Sequence, residues 1–455
     1  VCGSTFLDEH LIILIRDFKK LENMKKLLIL LLILTPIGLK AQLSAVESRL
    51  VDRVDYNNEE GLELLKETIA INSGTMNFEG VKQVGDVLRK EFDDLGFETI
   101  WEDGSKFNRS GHLIAKHFGS EDAPKILLIG HLDTVFEKDS PFQEMTMVDE
   151  NTLKAPGIAD MKGGNVIMLQ ALRALKENNH LKDMNVWVVF TGDEEYSGSP
   201  LTLSKKALID AAKWADIAIG FENGDGNPAT ANISRRGSIK WELKTEGNPA
   251  HSSQIFREDV GAGAIFEASR ILNAFYEELR SEEFLTFNPG MIIGGTTIEH
   301  DDVNKSGTAF GKDNVVSKEV IISGDLRGLS PEQVERVKAK MQDIVSQNRP
   351  QTKATLTFYP GYPPMAPTDG NRELLSIYSE VSEDLGQGKV EAVNPLKAGA
   401  ADVSFTADYV DMAIDAVGMS GADDHTVNEV GYLPKFKTQT QRAAVLLLRL
   451  QNWKK

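Results

Sequence analysis

The stretch Asn185-Val-Trp-Val-Val-Phe190 runs into Thr191-Gly-Asp-Glu-Glu-Tyr-Ser-Gly-Ser199. A short apolar run rich in β-branched and aromatic residues reads as a buried strand, and its C-terminal end carries Glu194 and Glu195. Adjacent carboxylates repel, and a strand mouth holds them comfortably only if something cationic absorbs their charge. A metal ion is the natural absorber, with one carboxylate binding it and the other handling protons beside it.

Working outward, the same grammar recurs. Residues 125–129 form a second apolar run ending at Gly130, and 215–221 a third ending at Glu222. Residues 62–71, 81–95 and 163–177 carry helical periodicity between the runs, which is the pattern of an α/β domain. In open α/β sheets the site is built at the C-terminal ends of the strands. From about residue 233 the style changes. Residues 238–245, 315–326 and 354–358 read as strands, and 261–280 and 331–347 as helices, the latter capped by Ser330. A strand–helix–strand–strand–helix–strand order predicts a small α+β sandwich of ferredoxin-like type, inserted over 232–360. The Pro-rich run at 360–364 returns the chain to α/β style. The larger domain is therefore expected to be discontinuous, over 45–231 and 361–455.

The 455 residues exceed one ordinary core, which agrees with two domains. The formal net charge of −18 argues against nucleic acid or an anionic membrane surface as partner. Met24-Lys-Lys26 followed by the apolar run 27–34, with breaks at Pro36 and Gly38, reads as a signal peptide over 24–41. Residues 1–23 then read as an over-extended start. Cys2, the only cysteine, falls in that piece, so the mature chain would lack thiolate ligands and disulfides. A periplasmic or secreted protein with no membrane attachment after cleavage is expected.

Four further places fit the Glu194–Glu195 pair. His131-Leu-Asp133 follows a buried strand, and residues two apart on an extended segment face the same way. Asp133 either binds a metal directly or orients the ring. Pro156-Gly-Ile-Ala-Asp160-Met-Lys-Gly-Gly164 sets a carboxylate on a tight turn before a helix. Glu222 ends its strand as His131 does, and His425 sits in the polar loop 421–429. Two ions about 3.5–4 Å apart can share one bridging carboxylate and a water. Ligands of N and O without sulfur suit two zinc ions, and cobalt or manganese fit the same set. Asp160, short and on a rigid turn, makes the bridge. His131 with Glu222 completes one ion, and Glu195 with His425 the other. Glu194 is left to carry protons.

This ordered set of motifs resembles the M20 family of co-catalytic zinc metallopeptidases, closest in feel to its bacterial glutamate carboxypeptidase branch, with likeness also to aminoacylases and succinyl-diaminopimelate desuccinylases. The resemblance runs from about residue 60 to the C-terminus. It implies the ligand roles above, Glu194 as general base with Asp133 beside it, and a cis peptide after Asp160. It also makes the inserted domain a lid that often dimerises, so a homodimer is expected. His251 resembles the lid histidine that reaches a substrate oxyanion, Asn314 and Arg327 the lid residues that bind a free carboxylate, and Gly399, with Asp402, the Gly-rich turn lining the pocket. The bland readings are that His251 caps a turn and that Arg327 is an ion-pair partner of Asp325. The function implied is an exported di-zinc exopeptidase that cleaves an amide beside a free carboxylate in a small peptide. An N-acyl-amino-acid amidohydrolase and a catalytically silent peptide binder are the alternatives.

Overall fold

The computed structural model describes residues 43–301 and 305–454, so the expected signal peptide and the doubtful start lie outside the described residues. Ser44 opens the helix Ala45–Ile69 with a capping box: its hydroxyl accepts from the Glu47 N–H, and the Glu47 carboxylate accepts from the Ser44 N–H. Sequence reading starts this helix only at 62. The earlier turns escaped because their buried stripe passes through Asn57 and Gly61, which carry little hydrophobic signal. Gly61 is there for space, since a Cβ would come within 3.0–3.1 Å of Gln170 and Phe436.

Six strands form the main sheet, in the spatial order Glu98–Asp103, Gly111–His117, Asn185–Thr191, Lys125–His131, Ile217–Gly220 and Met412–Ile414. The last four are parallel, with His131 opposite Thr191 and Ile129 opposite Gly220. The first two run antiparallel at one edge. On one face Leu127, Ile129, Val189, Ala218 and Ala413 pack against Leu208, Ala211 and Ala212 of the helix Lys206–Trp214. The alternate residues Ile126 and Leu128 turn to the other face, where the helices Ala45–Ile69, Gly163–Glu177 and Leu433–Leu450 pack together. The chain leaves Lys125–His131 for the neighbour on one side and later returns to the neighbour on the other. That switch opens a crevice beyond the C-terminal ends of the central strands.

A second sheet is antiparallel, in the order Thr286–Gly295, Glu319–Arg327, Ile239–Gly247 and Thr352–Phe358. Trp241, Leu243, Ile322 and Leu326 bury one of its faces against Ile271 and Phe275 of the helix Gly263–Leu279 and Val337 and Met341 of Pro331–Ser346. This is the ferredoxin-like sandwich that the sequence implies, and the α/β sheet with its inserted α+β sandwich is the architecture of the chain. Two crossings join the layers, and they pair with each other: Arg235 exchanges backbone bonds with Met365, and the Ser238 N–H donates to the Tyr362 carbonyl. No helix among the described residues is long and apolar enough to cross a membrane.

Candidate metal centre

His131 is the last residue of its strand, and its Nε2 lies 2.9 Å from Asp160 Oδ1 and 3.5 Å from Glu222 Oε1. The other Asp160 oxygen, Oδ2, is 2.9 Å from His425 Nε2, which is 3.3 Å from Glu195 Oε2. One carboxylate therefore stands between two imidazoles, each with its own further carboxylate. Asp160 sits on an irregular turn after Gly157, whose φ is +72°, and the peptide joining Asp160 to Met161 is cis, as the resemblance implies.

The donor set fits metal. Ligand atoms bound tetrahedrally at about 2.0–2.1 Å stand about 3.3 Å apart, close to the spacings in both half-sites. Glu195 Oε1 is buried without a hydrogen-bond partner, and such orphaned atoms are costly unless something binds them. The electrostatics agree. Burial, then the charge of Asp160, pushes Glu195 and Glu222 well above the usual carboxylate range. Burial opposes a proton on His131, yet Glu222, Asp133 and Asp160 hold its pKa well above the ordinary value. Protein groups alone leave too much negative charge here, which is the condition a divalent cation relieves.

Glu194 holds neither imidazole. Burial, then repulsion from Asp402, pushes it up to about 8. Its N–H donates to Asp133 Oδ1 (3.1 Å), and the Glu195 N–H donates to Asp133 Oδ2 (3.1 Å), which also takes the Thr75 hydroxyl (2.7 Å). The Asp133 carboxylate is thus turned toward the strand-end backbone. The Asp133 backbone carbonyl is the group 3.0 Å from His131 Nδ1, and the carboxylate is 3.5 Å away. Asp424 offers an oxygen to the Asp160–His425 half-site, with all three ligand atoms within 4.8 Å of one another.

The residues expected of the lid stand apart. His251 is exposed, and its Nδ1 meets Ser253 Oγ at 2.8 Å, capping the turn Ser252–Gln254. Asn314 is exposed in the adjoining turn, its carbonyl accepting from the Ser252 N–H. The Arg327 Nε donates to Asp325 at 2.8 Å. No hydrogen bond or ion pair among the described residues ties these three to the buried cluster. Gly399 is held by Arg235, which donates to its carbonyl at 3.1 Å and pairs with buried Asp415 at 2.7 Å.

Three further residues escaped sequence reading. Lys205 is fully buried between Asp193 (3.0 Å) and Asp402 (2.9 Å), within electrostatic reach of Glu194. Arg236 is 8% exposed and has no carboxylate partner among the described residues. Its Nη1 donates to Thr286, the residue opposite Arg327 in the sheet, its Nη2 to the Leu396 carbonyl, and its Nε to nothing. Glu429 is 0% exposed in the His425 loop. The signal available for each was a charged residue in an otherwise apolar or turn-forming context, which a sequence alone cannot distinguish from a solvated one.

Residues 127–448 match Peptidase family M20/M25/M40. The chain belongs to that family. As a member it is a metallopeptidase-type hydrolase, and the donor cluster is its candidate metal-binding site. Carboxypeptidase G2 of Pseudomonas sp. (strain RS-16) is 22% identical over 370 residues, which cover 80% of this chain and 83% of that protein. Mouse aminoacylase-1 is 28% identical over 214 residues, 45% of this chain and 50% of its own. Among solved structures, an aminopeptidase from Bacillus cereus superposes with a TM-score of 0.69 at 21% identity, covering 87% of this chain and 99% of that one. The M20 fold therefore extends over both the α/β sheet and the inserted sandwich.

Proposed function

We propose that this M20 enzyme is an exported di-zinc exopeptidase that hydrolyses an amide beside a free carboxylate, with preference for an acidic C-terminal residue. The observation that carries the reading is Asp160 between His131 and His425, flanked by Glu222 and Glu195, with Glu194 beside them and in no ion pair among the described residues. His131, Asp160 and Glu222 would hold one ion, and Asp160, Glu195 and His425 the other. Bound there, the pair would supply Lewis-acid activation of water and of the scissile carbonyl. Glu194 takes the proton of the attacking water and returns it to the leaving amine. Asp133 and Lys205 act through the backbone and the charges behind it, holding the Glu194–Glu195 segment at the strand end. The catalytic parts are 45–231 and 361–455, and the lid is 232–360.

Arg236 supports the acidic preference. A buried guanidinium in no ion pair among the described residues, next to the strand position of Arg327, suits a ligand that brings two carboxylates. His251, exposed and apart from the cluster, would reach substrate by lid movement or from a second copy of the chain, and a homodimer through the lid is part of the proposal. Segment 24–41 supports export to the periplasm or the medium.

A released-amine assay over C-terminal glutamyl and aspartyl dipeptides, neutral dipeptides and N-acetyl amino acids tests the reading. The acidic dipeptides are expected to be cleaved fastest. Turnover confined to N-acetyl amino acids would favour an aminoacylase instead. Metal binding with no turnover across the panel would favour a silent peptide binder.

A further inference from the structure

We infer that Glu429 is a positioning residue of the metal centre, locking the bridging Asp160 and the His425 loop into one register. The inference rests on the proposed two-metal reading and concerns a residue that contributes no ligand to it. Glu429 Oε1 accepts from the Ala159 N–H (2.9 Å) and the Asp160 N–H (3.1 Å), and Oε2 accepts from the Gly157 N–H (2.9 Å). Three buried amide groups of the Asp160 turn thus converge on one carboxylate more than two hundred residues away in sequence. A buried N–H left without a partner is costly.

The other end of Glu429 is tied to His425. Its N–H donates to the Thr426 carbonyl (3.2 Å), the Thr426 N–H to the Asp423 carbonyl (3.2 Å), and its own carbonyl accepts from Ala155 N–H (3.2 Å). A short, fully bonded path therefore runs from the backbone of Asp160, through the Glu429 side chain, to the loop presenting His425. The Asp160 Oδ2 to His425 Nε2 spacing of 2.9 Å is set at the far ends of that path. His131 reaches Asp160 from a different element, the central strand Lys125–His131. Both half-sites share Asp160, but only that of His425 and Glu195 also takes a ligand from the loop Glu429 ties down, so it is the one Glu429 governs more strongly.

Glu429→Gln keeps the shape but turns one acceptor into a donor facing an N–H. Titration of metal-free protein with Zn2+ by isothermal calorimetry should give two equivalents for the wild type. In the variant one equivalent should weaken about 10–100-fold, the usual cost of losing an outer partner of a metal ligand, while the other weakens less. Glu429→Asp, which keeps the charge but draws it back by one methylene, should weaken the same equivalent. Wild-type affinity for both ions in the variants would overturn the inference and leave the two-metal reading standing. So would a lower thermal midpoint of the metal-free protein with both affinities unchanged, or failure of both variants to fold, since either assigns Glu429 to folding alone. Absence of Zn2+ binding by the wild type would overturn both.

Discussion

The adjacency of Glu194 and Glu195 has a local cause. Both N–H groups donate to the Asp133 carboxylate, so the chain turns sharply past the strand end, and Glu195 reaches His425 while Glu194 does not. His131, Asp160, Glu195, Glu222 and His425 were legible in the sequence because each sits where a strand or turn ends, a short-range signal. Arg236, Lys205 and Glu429 were not, because what marks them is long-range: a missing counter-ion, a pair of facing aspartates, three converging amides. Two predictions belong here. Lys205→Met strands Asp193 and Asp402 and should cost about 3–5 kcal/mol, the usual price of a broken buried pair, read by urea unfolding. Arg236→Gln should lower kcat/KM for an acidic C-terminal residue about 10–150-fold, from about 1.5–3 kcal/mol for a hydrogen bond to a charged group. Neutral substrates should change little, and an equal loss on both would refute the acidic pocket.

Among the elements, the parallel strands and the helix Gly163–Glu177 were readable from apolar runs and a Gly-Gly opening. The strands Glu98–Asp103 and Thr286–Gly295 were not. Their side chains are largely exposed, and the second is broken by Pro289 and a bulge before Met291, so neither has a clean alternation. Gly164 shows why the helix opens with glycine: a Cβ there would stand 1.9 Å from the Phe221 carbonyl oxygen, one residue before Glu222. Gly164→Ala should therefore push the helix start away from that strand end. The expected cost is about 1–3 kcal/mol in stability, together with weaker Zn2+ binding by calorimetry. A variant with unchanged affinity would separate helix packing from the Glu222 half-site.

For the whole molecule, the sequence made the two-layer plan visible through a change of pattern near residue 233. The geometry of the crossings, in which Arg235 and Ser238 pair with Met365 and Tyr362, comes only from tertiary contact. Tyr362 also donates from its hydroxyl to the Glu194 carbonyl at 2.9 Å, so a crossing segment touches the backbone of the proposed base. Metal ought to be a global stabiliser, because without it the buried carboxylates around Asp160 are compensated only by the two histidines, and Glu195 and Glu222 are left pushed well above the usual carboxylate range. A ligand at a hundred times its Kd contributes about 2.7 kcal/mol. Chelation should therefore lower the thermal midpoint by several degrees, reversibly on adding Zn2+, and an unchanged midpoint would speak against a structural share for the ions.

The division of labour at the strand end is tested most directly by Glu194→Gln, assayed for Zn2+ content and for turnover on the best substrate of the panel. Loss of proton transfer should lower kcat about 10²–10⁴-fold while two Zn2+ per chain remain bound. Near-normal turnover, or loss of a metal ion in that variant, would contradict it.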